Sequence, residues 1–163
     1  MRRMLQHIIG IGLGAGLCIF MFGGIGFIKE GLAQEPAYVG VAKCKLCHPK
    51  QHKIWTESRH ARAFEDLKAE ERKDPKCLAC HVTGYRETGQ VKPDMAGIQC
   101  EACHGPGSLF ITIHSKKDKE GAKKAGLIAR PDQERCKSCH NQESPFFKGF
   151  DYAKMWDQIK HQK

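Results

Sequence analysis

The chain has 163 residues, 40% of them hydrophobic, with nine cysteines and a formal charge of +9. That length allows one domain plus a leader. Many of the apolar residues fall in the first 28 positions, so the remainder is polar and Lys-rich; a fold held by a large side-chain core is excluded, and something else must supply the apolar mass.

The N-terminus reads as a leader. Met1, Arg2 and Arg3 make a positive start, and the run from Ile8 to Ile28 is 21 residues without a charge. The run is long enough to span a bilayer, while Gly31-Leu32-Ala33 before Gln34 offers a small-residue cleavage site. Residues 1–35 are therefore a signal peptide or an N-terminal membrane anchor, with the anchor preferred on length. Cys18 lies inside the run after Leu17 and reads as apolar filler. Either way the rest of the chain crosses the membrane, with Arg2 and Arg3 staying inside.

The other eight cysteines form four copies of Cys-x-x-Cys-His. These are Cys44, Cys47 and His48; Cys77, Cys80 and His81; Cys100, Cys103 and His104; and Cys136, Cys139 and His140. A bare Cys-x-x-Cys could bind zinc or exchange disulfides, but here His follows every pair. That pattern attaches c-type haem. The spacing lets two sulfurs reach the two vinyl groups of one porphyrin, and it puts the histidine under the iron as proximal ligand. Successive first cysteines are 33, 23 and 36 residues apart. The gaps are irregular and short, so this is no solenoid and no motif has a domain of its own. Residues 36–163 are expected to form one tetrahaem cytochrome c domain, mainly α and loop-rich, organised around four covalently bound haem c groups with iron. A basic chain can signal nucleic acid. Haem propionates offset the surplus Lys and Arg in part, so the field is read instead as bearing on docking to redox partners.

Between the motifs the helix signals are short. Ser58 suits an N-cap for a helix to about Arg72, with His60, Phe64 and Leu67 on one face. Gly105-Pro106-Gly107 marks a turn after the third motif. Lys116 to Lys124 reads as a charged loop or loose helix. Pro131 suits the first turn of the helix carrying the last motif. Asp151 suits the cap of a C-terminal helix with Tyr152, Met155, Trp156 and Ile159 on one face. No strand signal is strong.

The four motif histidines are proximal ligands, which leaves His52, His60, His114 and His161 outside the leader for the distal sides. Met95 and Met155 are the other option. His60 is favoured by its apolar face. His52, four residues after His48, cannot cap the haem that His48 holds and is read as facing solvent or a propionate. His114 follows the apolar run 109–113. On an ideal helix His161 falls opposite the apolar stripe, near a chain end where helices fray.

Several stretches resemble the tetrahaem cytochrome c-554 family of ammonia-oxidising bacteria: Tyr-Val-Gly at 38–40, Trp55, Ser-Arg-His-Ala-Arg-Ala-Phe at 58–64, Cys-Leu-Ala-Cys-His-Val-Thr-Gly at 77–84 and Gly97. The others are Cys-Glu-Ala-Cys-His-Gly-Pro-Gly at 100–107, Glu134-Arg135 and Phe150-Asp151. The resemblance covers roughly Tyr38 to His161. It implies a mainly helical domain with haems in close pairs, and distal ligands at His60, His114 and His161. It also implies a second haem, on Cys77, Cys80 and His81, with no distal protein ligand. Members take electrons from hydroxylamine oxidoreductase and pass them towards the membrane, and an open haem can bind nitric oxide. His114 is assigned to the first haem.

The expected function is electron transfer on the periplasmic side of a bacterial inner membrane, between a redox protein donor and acceptor, with no catalytic residue. Nitric oxide reduction at the second haem is one alternative. A haem subunit of an inner-membrane complex or a filament is another.

Overall fold

The computed structural model describes residues 35–161. The predicted leader, apart from Glu35, lies outside the described residues. The helices are short, and their ends follow from local chemistry. Helix α1 is Val41–Lys45 and α2 is Pro49–Thr56. Pro49 opens α2 at the first helical position, where a missing N–H costs nothing. A 3-10 turn, Glu71–Lys73, leads into α3, Pro75–His81. The Asp74 side chain caps α3 by accepting from Lys76 N–H at 2.8 Å. Helix α4, Tyr85–Thr88, is a single turn between two left-handed glycines, Gly84 and Gly89.

Helix α5, Cys100–His104, stops at Gly105, and a 3-10 turn follows at Gly107–Leu109. Next come α6, Ile111–Ser115, and α7, Lys119–Lys124, the latter capped by Asp118. Helix α8, Gln133–Lys137, is capped by Asp132, and α9, Tyr152–Ile159, by Asp151. Tyr152, Met155, Trp156 and Ile159 are the half-buried residues of α9, the face expected of it. Among the described residues no helix exceeds eight residues and none is long and apolar enough to cross a membrane. Helices this short do not persist alone in water.

The side-chain core is correspondingly small. Leu67, Leu78, Val82 and Met95 form its buried cluster, with Tyr38, Phe64, Cys77 and Tyr85 packed around it. The described residues contain no strand, only an isolated bridge from Val82 to Ala96 and Gly97. That bridge knots three segments: Thr83 N–H donates to Gly97 O at 3.1 Å, Gly97 N–H to His81 O at 3.1 Å, and Ile98 N–H to His60 O at 2.9 Å. Gly97 is required here. Its φ is +79°, and a Cβ would stand 2.7 Å from the Ala61 carbonyl oxygen. The expectation of a mainly helical, loop-rich fold therefore holds.

Two local expectations need correction. The segment from Ser58 is not a helix to Arg72 but a run of turns with i to i+3 bonds, such as Arg62 N–H to Arg59 O at 3.2 Å. Its carbonyls are used elsewhere. His60 O is taken by Ile98 N–H and Ala63 O by the His81 ring. Pro131 is not in the first turn of α8. It is buried just ahead of the Asp132 cap, and its carbonyl accepts the Tyr152 hydroxyl at 2.8 Å, which ties α9 to the start of α8.

Candidate functional site

The four motifs are carried in two ways. The second lies wholly on α3 and the third wholly on α5. In the first and fourth only the leading Cys44 and Cys136 are helical, and the rest follows in the closing turn. There His48 N–H returns to Cys44 O at 2.9 Å and His140 N–H to Cys136 O at 3.0 Å. Both arrangements stack two thiols and one imidazole within a single helical turn. All eight thiols, Cys44, Cys47, Cys77, Cys80, Cys100, Cys103, Cys136 and Cys139, are free. The residue after the first cysteine reports depth. Leu78 is 3% and Glu101 1% exposed, whereas Lys45 is exposed and Lys137 half-buried. That position is thus buried in the second and third motifs and more open in the first and fourth.

Three motif histidines each face one histidine from outside the motifs. His48 lies against His114 with ring centres 5.7 Å apart, His104 against His161 at 5.9 Å, and His140 against His60 at 6.0 Å. Two imidazoles bound to one metal from opposite sides, each nitrogen about 2 Å away, place their ring centres roughly 6 Å apart. The pairs therefore have room for an iron between them. Among the described residues no second imidazole pairs with His81. His161 reaches His104 because α9 ends at Ile159 and Lys160 turns to extended backbone, so the helical wheel does not apply to it. His52 stays beside Trp55, and Thr56 lies 3.5 Å from its Nδ1. Met95 is buried in the core at 4% exposure.

The remaining ring atoms fit the same role. His104 Nδ1 meets Ile128 O at 2.7 Å, and His81 Nδ1 meets Ala63 O. Donation from Nδ1–H leaves Nε2 free and fixes the ring, as ligand histidines require. Burial lowers the pKa of His60, helped by His140, and burial likewise lowers that of His104. Both favour the neutral imidazole that binds metal. His114 Nδ1 is buried without a hydrogen-bond partner among the described residues, an atom that needs something to satisfy it. Free thiol pairs, oriented imidazoles and this orphan nitrogen together fit covalently attached haem.

Residues to which the sequence reading gave no role hold the motifs together. Glu101 is fully buried, and its carboxylate accepts from Val39 N–H, Gly40 N–H at 2.7 Å and Gly107 N–H at 2.6 Å. It anchors the approach to the first motif onto the third. Gln99 adds a bond from Val41 N–H to its Oε1 at 2.7 Å. Arg135 Nε donates to Ala102 O at 2.7 Å and joins the fourth motif to the third. Arg86 donates to Ser138 O at 2.6 Å and joins the second to the fourth. Thiols meet along two of these seams: Cys44 beside Cys100, and Cys80 beside Cys139. The signal in the sequence was a lone carboxylate inside a Cys-x-x-Cys-His motif followed by Gly-Pro-Gly, and an arginine next to the last motif.

Comparison with known proteins gives consistent results. The family described as cytochrome c554 and c-prime matches residues 43–105, a span holding the first three motifs. Cytochrome c-554 of Nitrosomonas europaea is 32% identical in an alignment of 152 positions that covers 74% of this chain. The chain spans 65% of that relative's length. The reduced-state structure of cytochrome c554 from Nitrosomonas europaea superposes with a TM-score of 0.61 at 26% identity, covering 78% of this chain and 85% of that one.

Proposed function

We propose that the chain is a member of the cytochrome c-554 family, as its similarity to that family supports, and that it is an electron carrier with four covalently bound haem c groups. The observation that carries the proposal is the set of three imidazole pairs at 5.7, 5.9 and 6.0 Å, each joining a motif histidine to one from elsewhere. Haem, when bound, supplies one-electron exchange at iron. The protein supplies attachment, ligands and spacing.

The cysteine pairs hold the four groups. His48, His81, His104 and His140 would be the proximal ligands, and His114, His161 and His60 would hold the first, third and fourth irons from the other side. Imidazole on both sides, with no methionine, favours low potentials and excludes substrate. The polar links set the neighbour order. The first motif touches the third through Gln99 and Glu101, the third touches the fourth through Arg135, and the fourth touches the second through Arg86. With haem bound, that order, first, third, fourth, second, is the one in which the protein would set its four one-electron centres side by side.

The uncharged run Ile8 to Ile28 in the sequence supports work on the outer face of a bacterial inner membrane, as a secreted protein or an anchored one. Donor and acceptor are redox proteins, and an inner-membrane complex is a second class of partner. Hydroxylamine oxidoreductase is the donor that the resemblance implies.

Electron paramagnetic resonance of the oxidised, haem-loaded protein tests this reading. Three low-spin irons with two imidazoles each are expected. Fewer than three would refute the ligand set, and fewer than four haems per chain would refute the carrier. One observation favours a second reading at the other end. His81 has no imidazole partner among the described residues, so the second haem has room for a small ligand such as nitric oxide.

A further inference from the structure

The neighbour order leaves the first motif at one end of the chain of sites, and its surroundings differ from those of the other motifs. From residue 36 to residue 56 the sequence has no carboxylate, yet it carries Lys43, Lys45, Lys50 and Lys53. All four are exposed, and none is in an ion pair among the described residues. Lys116 and Lys117, also exposed, sit just past His114, whose ring lies against His48. At the centre Leu46 is 77% exposed, between the two cysteines of the motif, and Ile54 is 43% exposed on α2. The equivalent region of the third motif turns inward around Glu101, and Leu78 of the second enters the core.

An apolar centre between two attachment cysteines, ringed by unpaired cations, is suited to brief and oriented docking. The charges steer encounter and set orientation, while the small apolar patch gives contact without tight binding. We propose that the surface of Leu46, Lys43, Lys45, Lys50 and Lys53 is the docking face for an acidic redox protein, and that electrons enter or leave through the first haem. This rests on the reading of the chain as an electron carrier. In the encounter one electron passes between the partner's centre and one haem iron; the donor is oxidised, the iron is reduced, and no bond or proton changes.

The test uses the haem-loaded protein and a reduced plant-type [2Fe–2S] ferredoxin as the acidic probe, mixed by stopped flow. The second-order rate constant should fall about tenfold or more between about 10 mM and about 1 M salt, as the Debye length shrinks from about 30 to about 3 Å. Reversing Lys43, Lys45, Lys50 and Lys53 to Glu should slow the low-salt reaction about tenfold or more and remove most of its salt dependence. A control reversing Lys68, Lys92, Lys148 and Lys154 makes the same change in net charge and should cost much less. Equal loss in both variants, or loss in neither, overturns the proposal. If the fourfold variant loads haem poorly, Lys50→Glu with Lys53→Glu, outside the motif, carries the same comparison with a smaller fold-change. Dithionite should still reduce all four haems of every variant; its failure would refute the carrier reading itself.

Discussion

Arg86 on α4 and Ser138 inside the fourth motif are joined by a hydrogen bond of 2.6 Å from guanidinium to carbonyl. The same side chain reaches Ala79 O at 3.0 Å and Cys80 Sγ at 3.1 Å. One planar fork thus spans two attachment motifs and sets a positive charge beside both.

Substituting Arg86→Met should therefore lower the potentials of the second and fourth haems. Reduction adds an electron, a nearby cation favours that state, and its removal makes reduction harder. Arg86 is exposed, so the drop should be on the order of tens of millivolts, and the stability cost about 1 kcal/mol. Arg86→Lys keeps the charge and loses the fork. It should hold the potentials near native while still unfolding at lower denaturant. Spectroelectrochemical titration of both variants separates the two effects, and unchanged potentials in Arg86→Met would rule out the electrostatic one.

Glu101→Gln should destabilise the haem-loaded protein by about 3 kcal/mol, because the amide replaces an acceptor oxygen with a donor facing backbone N–H groups. The affected donors are those of Val39, Gly40 and Gly107. There is no room to rearrange: a Cβ on Gly107 would already stand 2.9 Å from the Glu101 carboxylate. Chemical denaturation followed in the haem absorption measures the effect, and a midpoint equal to native would show that the carboxylate is not the anchor described.

What was legible in the sequence was the chemistry that has a fixed spacing. The attachment motifs, the Asp151 cap and the turn at Gly105-Pro106-Gly107 all depend on neighbours within a few residues. What was not legible depends on partners far along the chain. Ser58 does start a turn, with its hydroxyl 2.6 Å from Trp55 O, but local pattern cannot show that His60 O and Ala63 O are claimed by Ile98 and His81. The same holds for His161: its alignment with His104 follows from a backbone break at Lys160, where a helical wheel assumes continuity. Glu101, to which the sequence reading gave no structural role, is 1% exposed. Its partners are backbone N–H groups, which leave no pattern in side-chain identity.

His60→Ala should convert one iron of four from low to high spin in the haem-loaded protein, the one attached at Cys136 and Cys139. Only His60 among the described residues places a second imidazole against His140. Added imidazole should restore the low-spin spectrum, since the vacated space takes the free ring. His52→Ala should leave every iron unchanged, because His52 packs beside Trp55 instead. A spin change in His52→Ala, or none in His60→Ala, would contradict the pairing.

The second haem should bind carbon monoxide in the reduced native protein, at one equivalent per chain. The three other irons would each lie between a pair of imidazoles, whereas among the described residues His81 has no second imidazole opposite it and its Nδ1 meets Ala63 O. The His60→Ala variant should take two equivalents, which places the open iron of the native protein apart from the fourth. Optical titration with dissolved gas measures both numbers. Zero equivalents in the native protein would mean that the second iron is closed, and the small-molecule reading would fall with it. Electron transfer along the other three would stand.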